Sequence, residues 1–149
     1  MRSRILFLMV FFTLSAVARA EIPGPPLLLL TAQDNGTDPQ DAFACSGIIH
    51  GYLTFPKTVV GKHVLEAIWT GPHGKVVQHS RDEINYAPPG HRTATIWLKF
   101  SQEDGGIWNP FAIQKPTDLD HAAYDGPWTL EVRWDEKPFT QSAFQVHCL

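Results

Sequence analysis

The chain has 149 residues, of which 44% are hydrophobic, 18% charged and 11% aromatic, with 11 Gly, 12 Pro and two Cys. The ordinary apolar share and the scarcity of cysteine exclude a disordered tail, a collagen-like repeat and a disulfide-dense knot. The length holds one domain of usual size, and the formal net charge is −3.

Residues 1–20 come first in the chain and direct where it goes. Met1 to Arg4 carry two arginines, Ile5 to Val17 form an uncharged, largely apolar run, and Ala18-Arg19-Ala20 closes it. A basic start, a short apolar stretch and a small-x-small end are the pattern of a cleavable secretory signal, with cleavage expected after Ala20. The competing reading is a membrane anchor. Thirteen residues in helix span roughly 20 Å against a hydrocarbon core of about 30 Å, which disfavours it. Removal of Arg2, Arg4 and Arg19 leaves 9 Lys and Arg against 15 Asp and Glu, a net of −6. An acidic chain without a basic cluster is a poor partner for nucleic acid or an anionic membrane surface, because neither phosphate array would be neutralised. The expected localisation is periplasmic or secreted.

Cys45 and Cys148 both survive signal removal, and an even count in an exported chain favours one disulfide over two buried thiols. Closing a loop of about 100 residues constrains the unfolded chain by roughly 4–5 kcal/mol on chain-entropy grounds.

Between the signal and the domain, residues 21–43 read as an extended leader. Ile22-Pro23-Gly24-Pro25-Pro26 cannot be helix, since proline lacks the amide proton and restricts its predecessor. Leu27 to Leu30 form a four-leucine run before the turn-rich Asp34-Asn35-Gly36-Thr37-Asp38-Pro39. This leader is expected to be a strap docked on the domain; the alternative is a strand exchanged with a neighbouring subunit. Asn35-Gly36-Thr37 also fits the acceptor pattern for N-glycosylation.

Residues 44–149 form the expected domain, and their signal is period two. Cys45, Ile49, Leu53 and Phe55 share one side of the first segment, Leu65, Ala67 and Trp69 of the second, and Ala94, Ile96, Leu98 and Phe100 of the third. Trp128, Leu130, Val132 and Trp134 follow, then Phe144, Val146 and Cys148. Such alternation is what half-buried antiparallel strands produce. Gly71-Pro72-His73-Gly74 and Asp135-Glu136-Lys137-Pro138 read as hairpin turns, and Pro88-Pro89-Gly90 as the opening of the strand that ends at Phe100. The pattern predicts an all-β, antiparallel β-sandwich of six or seven strands.

The closing stretch Gly126-Pro127-Trp128-Thr129-Leu130-Glu131-Val132, the polar turn after it and Ala143-Phe144-Gln145-Val146 resemble the last hairpin of immunoglobulin-like modules in exported bacterial proteins. Leu65-Glu66-Ala67-Ile68-Trp69-Thr70-Gly71-Pro72-His73-Gly74-Lys75-Val76 is similar to the central hairpin of macroglobulin-type or fibronectin-III-like sandwiches. The resemblance spans Ala44–Leu149 and implies an immunoglobulin-like fold with an adhesion, docking or spacer role. The chain departs from antibody-type domains, since its cysteines fall on the first and last strands of the domain.

Chemistry is sparse. No G-x-S-x-G elbow or H-E-x-x-H pair occurs, so no catalytic residue is nominated and a non-enzymatic role is expected. No cofactor is implied. Asp118, Asp120 and His121 lie close enough in sequence to supply ligands to a metal, which makes a small metal-handling envelope protein an alternative. The 25-residue connection Ser101–Asp125 is long for a compact domain and holds Trp108, Phe111 and Tyr124. These aromatics either cap one end of the sandwich or offer an anchor to a protein or glycan partner. The reading is a secreted or periplasmic binding or accessory module.

Overall fold

The computed structural model describes residues 24–101, 106–108 and 121–148. Seven strands follow in chain order: β1 (Leu27–Thr31), β2 (Ala42–Ala44), β3 (Gly47–Thr70), β4 (Val76–Ser101), β5 (Gly106–Trp108), β6 (Gly126–Trp134) and β7 (Lys137–His147). Their ladders join into one sheet in the order β2-β7-β6-β3-β4-β5, with β1 paired to β3 off that path. All pairings are antiparallel except β2 with β7. The all-β reading therefore stands, but the ladders define a single sheet curled into a half-barrel where the sequence predicted two stacked sheets.

The difference lies in β3 and β4, which are 24 and 26 residues long and run through what looked like strand boundaries. Pro56 sits inside β3, and Pro88 and Pro89, joined by a cis bond, sit inside β4. A proline removes a ladder donor and is tolerated only where none is needed. That condition is met here, because the β3–β4 register shifts between Thr54 and Val59 and again between Val59 and Gly61, leaving the intervening residues outside the ladder. Gly90, at φ 91°, passes under Val59 so closely that a Cβ would lie 2.4 Å from the Val59 carbonyl oxygen. Only glycine fits there. The long hairpin bends at this crossing, so that the first half of β3 pairs with β1 and the second half with β6.

The inward side chains are those the alternation selected. Leu53, Leu98, Leu130 and Val132 are completely buried, and Trp69 and Trp128 are the largest buried side chains. Gly51 lets β3 approach closely: an added Cβ would fall 2.8 Å from Ile96 and 3.4 Å from Leu130 of β6, across the curl. The leader is part of this sheet and of its core. Leu30 and Phe43 are buried and Leu28 packs against the same cluster, while Leu27 is exposed. Burial deepens along the four leucines, from exposed Leu27 through half-buried Leu28 and Leu29 to buried Leu30, as β1 pairs residue by residue with His50–Thr54 of its own chain. Cys45 and Cys148 form the disulfide that ties the end of β2 to the end of β7, across a sequence separation of 103.

Candidate functional site

A structured polar site lies beside the tip of the last hairpin. The β6–β7 turn is only two residues, Asp135 and Glu136, both with positive φ (49° and 67°). A turn of that hand matches the twist of the flanking strands but favours Gly or Asn. Left-handed backbone costs a non-glycine residue about 1 kcal/mol or more, so the tip requires compensation from its surroundings.

Side chains and backbone of the neighbouring strands supply it. The pairing of β6 with β3 places Trp134 opposite Leu65, which brings Asp135 to Val64. The Asp135 amide donates to the Val64 carbonyl at 2.9 Å, and the Val64 amide donates to Asp135 Oδ1 at 3.0 Å. Asp135 Oδ2 lies 2.8 Å from His63 Nδ1. Glu136 is held from the other side, accepting from Arg81 of β4 at 3.1 Å through its carboxylate and from Arg133 at 3.0 Å through its carbonyl. Arg81 also bonds to Glu66, the buried carboxylate of the outer face, whose register partners are Arg81 and Arg133. Glu136 first and Glu66 second hold the Arg81 proton more tightly than usual.

His63 has a second bond, with Nε2 3.2 Å from the Val60 carbonyl oxygen. A carbonyl and an ionised carboxylate only accept, and a neutral imidazole has one N–H to give; satisfying both partners takes the doubly protonated ring. The ring also stacks on Trp134 with centroids 4.7 Å apart and planes 26° off parallel, a geometry that favours a cation. Its pKa is accordingly raised above 6.5, chiefly by the Asp135 hydrogen bond, against a smaller opposing effect of burial. Asp135 is held below its ordinary 3.8 by His63 and then by the Val64 amide.

A cleft of about 250 Å³ opens here, lined by Lys62, His63, Val64, Glu83, Ile84, Asn85 and Asp135. It mixes both signs of charge and contains no hydroxyl or thiol. His63 with Asp135 has the spacing of a histidine–carboxylate pair, yet the nitrogen that would serve as a base faces Val60 and no nucleophile stands beside it. The arrangement can hold polar groups and carry a proton on His63.

The residues nominated from the sequence fall elsewhere. Tyr124 is buried against Phe100 and Trp128, with its phenol pushed up by burial, and Trp128 Nε1 donates to its carbonyl oxygen at 2.8 Å. It is a core residue and not an exposed anchor. The backbone of Trp108 belongs to β5, paired with Lys99, while Phe111 lies outside the described residues. Asp118 and Asp120 also lie outside them, and His121 opens a short 3-10 turn. Among the described residues no three His, Cys, Asp or Glu side chains gather as a metal site, and no helix is long and apolar enough to cross a membrane. His63 and Asp135 escaped the sequence reading because they are 72 positions apart and share no motif. Their one signal is the strand pairing itself, which places the turn after Trp134 at Val64.

No protein-family model matches the chain, and no curated protein matches it. Its fold is similar to parts of solved structures. One is an alkylpurine DNA glycosylase from Pseudomonas fluorescens (9% identity, TM-score 0.45, 83% of this chain and 30% of that one). Another is a β-glucosidase from Listeria innocua (9% identity, TM-score 0.42, 81% and 16%). A third is a CARDB domain from Pyrococcus furiosus (10% identity, TM-score 0.37, 83% and 93%). The chain spans less than a third of the first two, and likeness of this depth transfers neither activity nor ligand.

Proposed function

We propose that the chain is an exported, non-catalytic binding or accessory module with an immunoglobulin-like sandwich as its scaffold. The observation that carries this reading is the state of the polar site at the β6–β7 turn. Its histidine spends both nitrogens on Asp135 and Val60, and the cleft lining offers no nucleophile, so the chemistry there holds the fold and transfers no group. The close approach of Gly51 to Leu130 supports two packed layers, since it brings β3 face-on to β6 within one core. The disulfide is compatible with an oxidising compartment and so with export.

The proposed recognition surface is the edge where β5 joins β4. Trp97 is exposed there at 37%, two residues from Lys99, whose ladder partner is Trp108. Exposed tryptophan is a common anchor in protein and glycan recognition. Replacing Trp97 with Ala should abolish capture of a partner from envelope extract while the melting temperature moves by less than about 4 °C. Undiminished capture, or a collapse in melting temperature, would refute this surface. Mass measurement of material exported by the cell tests the signal, with a mature terminus at Glu21 expected.

A further inference from the structure

We propose that His63 is a pH-sensitive latch that fastens the β6–β7 turn to β3 and so sets how firmly the turn closes the adjoining cleft. This stands independently of the binding role proposed above, because it rests on geometry within the sheet.

Three features make the tip a two-state element. Its turn is built from two non-glycine residues in left-handed backbone, so the free hairpin does not favour the closed shape by itself. Its closure depends on a handful of polar bonds at an accessible rim, with His63 and Asp135 side chains 24% and 47% exposed. And His63 is the one member of that set whose charge changes near neutrality. Protonated, it donates to Asp135 and to Val60 together and stacks as a cation on Trp134. On losing a proton it gives up one of the two bonds and its charge, while the Asp135 amide still donates to the Val64 carbonyl and the Val64 amide to Asp135 Oδ1. The latch therefore loosens and the hairpin does not detach.

The charged neighbours are arranged accordingly. From the turn, Asp135 faces His63 directly and Lys137 of β7 acts on Asp135. From β4, Glu83 lines the same cleft, and Lys62 lines it from β3 itself. Glu136 is turned toward Arg81 and is occupied there. Of these groups, Asp135 is the one that acts directly on the His63 charge.

Linkage fixes the size of the effect in advance. Tightening of the turn at low pH equals tenfold for each pH unit by which the His63 midpoint in the closed form exceeds that of the open form. The test is amide hydrogen exchange read as protection factors at Val64 and Asp135, with His63 ring nitrogens titrated by NMR in the same sample. Protection at both amides should fall as pH rises through the His63 midpoint, by the factor the midpoint sets, and the Gly71 amide, bonded to the Lys75 carbonyl at 2.9 Å, should show no comparable step. In His63→Gln the step should vanish. Unchanged protection across the wild-type titration overturns the latch, as does a His63 midpoint at or below 6.5 or an equal step at Gly71. The wild-type titration alone decides the matter if the variant does not fold.

Discussion

The last hairpin is held at its two ends by bonds of opposite character. At the terminal end, Cys148 is joined covalently to Cys45, its amide donates to Asp125 at 2.9 Å, and Gln145 donates to the Asp41 carbonyl at 2.8 Å. At the tip, Asp135 and Glu136 are held by His63, Val64, Arg81 and Arg133. The first attachment is covalent, and the second rests on a histidine–carboxylate pair. One end of the domain is thus fixed once at oxidation and the other is adjusted continuously by protonation.

Removing the disulfide with Cys45→Ala and Cys148→Ala should have the largest effect. The closed loop is long, and about 4–5 kcal/mol of stability should disappear from denaturant unfolding, with wild-type protein in reductant losing a similar amount. A loss of a few tenths would mean that the two ends do not differ as described.

The two tryptophans of β6 sharpen the contrast, since Trp128 lies near the disulfide and Trp134 at the tip. Trp128 is 1% exposed and packs on Phe100 and Phe144, so Trp128→Ala should cost about 3–5 kcal/mol. Trp134 is only partly buried, and its replacement should cost less while lowering the His63 midpoint through loss of the stacked ring. Equal costs for the two would contradict the difference in packing.

The tip variants should be weaker and conditional. The raised His63 pKa contributes stability that is complete below 6.5 and lost as pH rises through the folded-state value. The lowered Asp135 pKa contributes stability present above 3.8 and lost as pH falls through its folded-state value. Between the two the ion pair is complete. His63→Gln should therefore be destabilising at pH about 6 and neutral at pH about 9, by no more than about 1 kcal/mol because solvent screens the pair. Trp97→Ala should cost clearly less than Trp128→Ala, since its side chain is 37% exposed against 1%.

Much of the core was legible in advance. Ile49, Leu53, Leu65, Trp69, Ile96, Leu98, Trp128, Leu130, Phe144 and Val146 were assigned inward by alternation, and all are buried. The strand period is a local property of the backbone, so a local pattern reveals it. The leader was harder, because four leucines in a row carry no period of their own, and which of them is buried is set by the pairing of β1 with β3. Pro56 and the Pro88-Pro89 pair read as breaks for a similar reason. Whether a proline ends a strand depends on whether a partner asks for its amide, and at the β3–β4 bend none does.

The sequence by itself determined the all-β class, the buried sides of the alternating segments and the candidate cysteine pair, since each follows from residue type and spacing along the chain. Only the tertiary structure decided that the ladders join into one curled sheet, that Tyr124 belongs to the core, and that His63 meets Asp135. Those outcomes depend on which strand lies beside which, and hydrogen bonds between strands carry no imprint of the distance along the chain that separates their partners.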